Sequence, residues 1–255
     1  LPRMPLESVR DDSLPLWRPP EGSLPDTAWF GMTTRVGGAS RGPYASFNVS
    51  LGVGDEAPAV EENRKRLRDA VRYTLRTPLL LRQVHGDAIA LPREASAEAD
   101  GWLVARGDPW VAVTTADCAA VAIVAEDGRR GALLHSGWRG ALAKIASRAV
   151  ERIGADGPAP ASLRAVIGPC LHACCLPVGD DVAARFDVRL HRPHPSGRTA
   201  IDLPEAIRAA LVESGVPAGA VHVAEECTSC RADRFYSHRR DRGVTGRHWA
   251  LLRLA

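Results

Sequence analysis

The chain has 255 residues, 45% of them hydrophobic and 25% charged, with a formal net charge of +3. That balance fits one large globular domain or two small ones, with enough chain to bury a core without staples. No apolar run reaches the roughly eighteen residues of a membrane span, and Leu1 to Asp26 lacks a signal-type apolar stretch, so a cytoplasmic setting without membrane contact is expected.

Residues 1–26 read as an irregular leader, rich in proline and charge. Ala28 to Thr34 is predicted as a strand that runs into the turn Arg35-Val36-Gly37-Gly38 and a loop reaching Asn48. Glu56 to Arg72 is a predicted helix, with Val60, Leu67 and Val71 on one face. Pro78 to Gln83 reads as a short strand delivering Val84-His85-Gly86. Further strands are expected at Gly101–Ala105, Pro109–Thr114, Val121–Ala125 and Gly131–Leu134, the last ending at His135-Ser136-Gly137-Trp138-Arg139-Gly140. Ala141 to Ile153 forms a helix stopped by Gly154. A strand at Leu163–Ile167, helices at Asp180–Phe186 and Pro204–Ser214, and strands at Val221–Ala224 and Trp249–Leu254 complete the order. Strands and helices mix, with several hairpin-like neighbours. An α+β layered sandwich is therefore expected, as one domain over residues 27–255.

Three potential ligands stand next to glycine or a turn, at strand ends where side chains project into clefts: His85, Cys118 and His135. A thiolate with two imidazoles suits zinc or copper. Three protein ligands leave a fourth position open for water or substrate, the pattern of a catalytic zinc. Each residue also has a plainer reading. A histidine after an apolar strand is often a hydrogen-bonded structural group, and a single buried cysteine behaves as a small hydrophobe.

The segments Arg82-Gln83-Val84-His85-Gly86, Ala99-Asp100-Gly101, Thr115-Ala116-Asp117-Cys118 and His135 to Gly140 resemble the YfiH-like family. So do Ile167-Gly168-Pro169-Cys170, Cys227-Thr228, Phe235 to Asp241 and Thr245-Gly246-Arg247. These proteins are also called laccase-domain proteins and were long described as polyphenol oxidases. The motifs follow the family's order from about Ala28 to Trp249. Ser136 departs from the usual alanine, and Phe47 from the leucine common before Asn48. The resemblance implies a catalytic zinc on His85, Cys118 and His135. It implies phosphorolysis of adenosine, inosine and methylthioadenosine, and deamination of adenosine. It also implies a fold like the catalytic domain of cytotoxic necrotizing factor.

Substrate partners are then purine nucleosides and phosphate, handled by a monomer or homodimer. Asp117 orients a ligand, shuttles a proton or merely caps a turn. Phosphate needs positioned cations. Arg139, opening a helix, is the first candidate and Arg35 the second, each with a surface ion pair as its alternative. Asn48 and Gln83 could hydrogen-bond base or ribose. Trp138 could stack on a base or pack the helix start. Cys170, Cys174 and Cys175 precede Cys227-x-x-Cys230. They read either as a structural zinc site or, preferred here, as thiols lining or supporting the cleft.

Arginine far outnumbers lysine, Lys65 and Lys144 being the only lysines. Compositional bias explains this best, and nucleic-acid binding is not expected. The Arg231–Arg247 stretch carries Asp233 and Asp241 and reads as a loop that covers the site and binds phosphate.

Three rivals stand beside the phosphorylase. A copper-dependent phenol oxidase of the multicopper type would need His-x-His repeats, and the eight histidines form none. Met4 and Met32 are poorly placed as axial copper ligands, although copper could occupy the open site. A hydrolase editing amide bonds in cell-wall precursors, implied by one relative, could use Cys118 as nucleophile or the zinc. A binding protein that keeps a metal for stability is the third.

Overall fold

A computed structural model of the chain describes residues 14–71, 77–95, 97–155 and 157–255. Its strands are β1 (Leu16–Trp17), β2 (Ala28–Thr33), β3 (Ile89–Ala90), β4 (Gly101–Ala105), β5 (Val111–Thr115), β6 (Ala119–Ala125) and β7 (Arg130–Ser136). They continue with β8 (Leu163–Ile167), β9 (His191–Pro193), β10 (Thr199–Ile201), β11 (Val221–Val223) and β12 (His248–Leu254). The helices are α1 (Ala57–Val71), α2 (Trp138–Leu142), α3 (Ile145–Gly154), α4 (Asp180–Ala183) and α5 (Leu203–Glu213).

Every residue of β6 is fully buried, so both faces of that strand must be covered. The pleat divides them. Val121 and Ile123 join α3 residues Ile145, Ala149 and Val150 in one core, which also takes Ile207 and Leu211 of α5. Ala120, Ala122 and Val124 face a second core shared with Phe30 and Met32 of β2 and Ala250 and Leu252 of β12. The alternate residues Trp29, Trp249 and Leu251 then pack under Leu67, Ala70 and Val71 of α1. The period of two in each strand thus builds four layers: helices, a six-stranded sheet, a four-stranded sheet, and α1.

The six-stranded sheet has the order β11-β8-β6-β7-β4-β3 and the smaller one β1-β2-β12-β5; β9 and β10 form a separate ribbon. Pairing in the smaller sheet is antiparallel throughout. In the larger sheet only the outer pairs β11–β8 and β3–β4 are parallel. The mixed single domain expected from the sequence is what the chain forms. No described helix is long and apolar enough to cross a membrane.

Four sequence expectations change. Pro78–Gln83 forms no strand. Leu79 and Arg82 make isolated bridges, while the Gln83 side chain takes the place of a ladder partner on Thr114: its Nε2 donates to Thr114 O at 2.8 Å and its Oε1 accepts from Thr114 N at 2.6 Å. The helix expected at Ala141–Ile153 is broken, because Lys144 adopts a left-handed conformation (φ 58°) between α2 and α3. The break lets α2 point Trp138 and Arg139 elsewhere while α3 keeps its apolar stripe on the sheet. The Asp180–Phe186 helix shortens to the single turn of α4. Within the expected leader, Leu16–Trp17 pairs with Thr33 and Met32 at the sheet edge; residues 1–13 and Arg72 lie outside the described residues.

Candidate metal and nucleoside site

One carboxylate organises the site. Asp100 precedes β4 and is fully buried. It accepts hydrogen bonds from the backbone N–H groups of Val84 (3.1 Å), His85 (2.9 Å) and Gly86 (2.7 Å), wrapping that turn around itself. The same carboxylate meets His135 Nδ1 at 2.8 Å, and the Asp100 carbonyl accepts from His135 N at 2.7 Å. With Nδ1 held by Asp100, His135 turns its Nε2 toward the cavity, the arrangement that orients metal-binding histidines.

His85 sits in a left-handed conformation (φ 61°), and so does Asp117 (φ 97°), the residue before Cys118. Both strained turns are over-determined by contacts, as functional sites require. Asp117 accepts from Thr228 Oγ1 at 2.7 Å and from Arg239 N at 2.7 Å, and its carbonyl accepts from Leu171 N. Both carboxylate oxygens are therefore engaged, and Asp117 acts here as a clamp on the Cys118 turn. Thr115 Oγ1 donates to the Cys118 carbonyl.

The outcome is a donor set in which one atom each from His85, Cys118 and His135 lies within 4.8 Å of the others. The two imidazoles stand edge to face, 4.9 Å apart. Burial grades outward from His135 through half-buried Cys118 to exposed His85, so the fourth side faces the cavity. Burial would raise the Cys118 thiol, but the charge of His135 and hydrogen bonds from both histidines outweigh it and hold the thiol at about 6. Burial would lower His135, but the Cys118 thiolate and Asp100 lift it to about 9. The metal-free pair is thus thiolate and imidazolium near neutrality.

Gly137 explains why glycine opens α2. A Cβ there would lie 2.7 Å from Cys118 Sγ. Gly137→Ala should displace the sulfur and weaken metal binding by the three donors about tenfold or more, with little effect on folding. Zinc titration of the metal-free variant checks this.

The cavity has a volume of about 490 Å³ and also takes in Gln83, Trp138, Arg139, His238, Arg239 and Arg247. Leu81, Leu171, Leu176 and Leu203 supply apolar wall. Arg139 is exposed, and its guanidinium lies 4.3 Å over the Trp138 ring. Arg239 donates to Pro177 O, and Arg247 to Thr245 O and Gly246 O, so both are fixed at the rim. The Arg231–Arg247 loop does reach the cavity.

The structure keeps two expected contacts out of it. Asn48 is fully buried; its Nδ2 donates to Ser50 O and Asp55 Oδ2, and its Oδ1 accepts from Ser50 N and Arg247 N. Arg35 donates to Ala45 O and Ala232 O and lies over the Tyr236 ring. Both shape loops around the cavity instead of lining it. Of the lining or supporting role preferred for the later cysteines, lining is not what forms, since none of the five lines the cavity; support from behind its wall is left, through the Thr228 N bond to Cys170 O.

A family model described as multi-copper polyphenol oxidoreductase laccase matches residues 29–255. The chain belongs to this YfiH-like, laccase-domain family. It is 35% identical to the purine nucleoside phosphorylase YlmD of Geobacillus stearothermophilus, covering 87% of this chain and 88% of that protein. The crystal structure of that YlmD superposes with a TM-score of 0.83 at 34% identity, covering 89% of this chain and 92% of the other. A purine nucleoside phosphorylase of Deinococcus radiodurans is 37% identical over 94% of this chain and 93% of its own length. Adenosine deaminase RL5, from an unknown prokaryotic organism, is 32% identical over 82% and 87%.

Asp100 enters the sequence reading only inside the motif Ala99-Asp100-Gly101, with no role of its own; an aspartate between alanine and glycine just ahead of a strand does not announce the four contacts it makes. Arg239 and Arg247 were missed singly because the sequence around them is arginine-rich throughout.

Proposed function

We propose that the protein is a cytoplasmic, zinc-dependent purine nucleoside phosphorylase acting on adenosine, inosine and methylthioadenosine, with adenosine deamination at the same site. The observation that carries this reading is one cavity that joins the His85–Cys118–His135 donor set to three arginines. The names of the relatives support it, phosphorylase and deaminase alike. The volume suits a nucleoside-sized ligand, and the thiol ligands need reducing surroundings.

The donor chemistry fits zinc: a thiolate, two imidazoles and one unfilled side. When bound, zinc would supply Lewis acidity at that side. The remaining work falls to the chain. Phosphorolysis moves a ribosyl group from the purine to phosphate, so phosphate must be held against C1′. Arg139, which makes no ion pair among the described residues, is free to meet it, with Arg239 and Arg247 adding charge at the rim. Gln83 retains one N–H and one lone pair for base or ribose. Arg35 and Asn48 serve by holding the loops, Asn48 through the Arg247 backbone. Asp117 keeps the Cys118 turn in place.

The deciding experiment incubates the protein with each nucleoside, with and without phosphate, and follows free base and ribose-1-phosphate or its methylthio analogue. Phosphate-dependent release of base is expected, and inosine formed from adenosine without phosphate reports deamination. No turnover of any of the three refutes the proposal. Arg139→Ala should raise KM for phosphate about tenfold or more and leave KM for the nucleoside nearly unchanged. Initial rates over a phosphate series check it.

Zinc uptake by the metal-free protein carries a pH signature. Above about 6 Cys118 is already a thiolate, while His135 stays protonated up to about 9. Zinc must then displace one proton, so apparent affinity should rise about tenfold per pH unit over that interval. Below about 6 the slope should steepen as the thiol also protonates. Competition titrations with a chelator across pH read the slope; a flat profile would contradict the ligand assignment.

The low-lying Cys118 thiol beside His135 also favours a second reading, a thiol-nucleophile amide hydrolase. Complete chelation separates the two: activity that survives metal removal belongs to the thiol. A multicopper oxidase lacks its ligands, because the other metal-capable cluster among the described residues contains only cysteines.

A further inference from the structure

Four cysteines take no part in the cavity. Cys174 and Cys175 share the 3-10 turn Ala173–Cys175, and Cys227 and Cys230 flank the turn Thr228-Ser229. Distant in the chain, their four sulfurs nevertheless gather within 4.8 Å of one another. Cys230 Sγ is 3.6 Å from Cys174 Sγ and 3.5 Å from Cys175 Sγ. Four thiolates about 2.3 Å from a central zinc stand about 3.8 Å apart at the corners of a tetrahedron. The observed spacings are close to those edges.

The backbone around Cys227 suits charged sulfur. The Cys227 sulfur accepts hydrogen bonds from the backbone N–H groups of His172, Cys230 and Ser229. Such donors stabilise a thiolate more than a thiol. Arg240, itself paired with Asp241 at 2.8 Å, donates to the carbonyls of Thr228 (3.0 Å) and Ser229 (3.2 Å) and so holds the same turn in place. That turn is tied inward as well. Thr228 N donates to Cys170 O at 3.0 Å, and Thr228 Oγ1 to Asp117 at 2.7 Å.

We propose that Cys174, Cys175, Cys227 and Cys230 form a second metal site, a closed tetrathiolate zinc that pins the 173–175 turn to the 227–230 turn. Zinc displaces four protons from four thiols and no electron changes hands. All four positions are filled by the chain, so the site is structural. Through Thr228 it steadies Asp117, and through Asp117 the turn that carries Cys118.

The test does not depend on the cavity being a phosphorylase. A His85→Ala/Cys118→Ala variant, which lacks the first donor set, is purified and dialysed against a weak chelator. Elemental analysis should find two zinc ions per wild-type chain and one per variant chain. Cobalt exchanged into the variant should give the intense d–d and sulfur-to-metal charge-transfer bands of four thiolates. A Cys174→Ser/Cys175→Ser variant should lose those bands, and stripping zinc from the His85→Ala/Cys118→Ala protein should lower its Tm. A folded His85→Ala/Cys118→Ala protein that holds no zinc and gives no thiolate–cobalt bands overturns the proposal. So does mass spectrometry that finds these four cysteines joined as disulfides.

Discussion

Cys118→Ala should abolish phosphate-dependent base release while leaving the fold in place. Cys118 is the only thiolate of its donor set, and two neutral imidazoles alone hold zinc poorly. Loss of about 4 kcal/mol of electrostatic stabilisation corresponds to about a thousandfold in kcat/KM. The side chain lies at the cavity wall, half-buried, and belongs to none of the three apolar cores. Its removal should therefore lower Tm by only a few degrees. Metal content, kcat/KM and a thermal melt on one preparation decide the matter. Full activity in the variant would sink both the zinc and the thiol readings. A collapsed melting transition would instead mark the metal as structural.

Asp100→Asn should damage stability and metal affinity together. The carboxylate accepts four hydrogen bonds, three from backbone and one from His135. An amide has one acceptor oxygen, and its NH₂ would face donors. Stability should fall by about 3 kcal/mol, the scale of breaking a buried charged pair, and zinc affinity by about 10- to 100-fold. Burial pushes the Asp100 carboxyl up, but His135 and the N–H groups of Gly86 and Val84 outweigh it and hold it below the usual range. A carboxyl lowered in the folded state stabilises the protein above its ordinary pKa of about 4 and loses that contribution as pH falls through the folded value. The variant should accordingly show a shallower loss of stability in acid than the parent. Denaturant melts from pH 3 to 7 check the sign; parallel curves would mean that folding leaves the Asp100 carboxyl unshifted.

The sequence exposes periodicity better than it exposes breaks. β4 and β8 begin and end where their apolar runs do, because both are bounded by turns. β6 starts two residues earlier than expected, since Ala119 and Ala120 are too small to signal burial. The apolar spacing of Ala141–Ile153 continues smoothly past Lys144, so nothing in the pattern betrays the backbone reversal there. In the site, His85, Cys118 and His135 are legible because metal chemistry restricts residue type. The hub at Asp100 is not, because its role lies in four contacts from two segments distant in the chain. Asn48 and Arg35 mislead for the converse reason: polar side chains in glycine-rich turns suit ligand binding and loop bracing equally well.

The pairing of β6 with β7 places Ala120 opposite His135 and Val121 opposite Leu134. His135 shares its face with Leu133, and Leu134 points to the other side of the sheet. A shift of β7 by one residue would exchange those faces. The imidazole would turn into the layer beneath α3, and a leucine would meet the buried Asp100 carboxylate. Descendants of this chain can therefore lengthen the Glu126–Arg129 connection outward as a bulge, but cannot pass a single-residue insertion into the ladder without breaking up the His85–Cys118–His135 donor set.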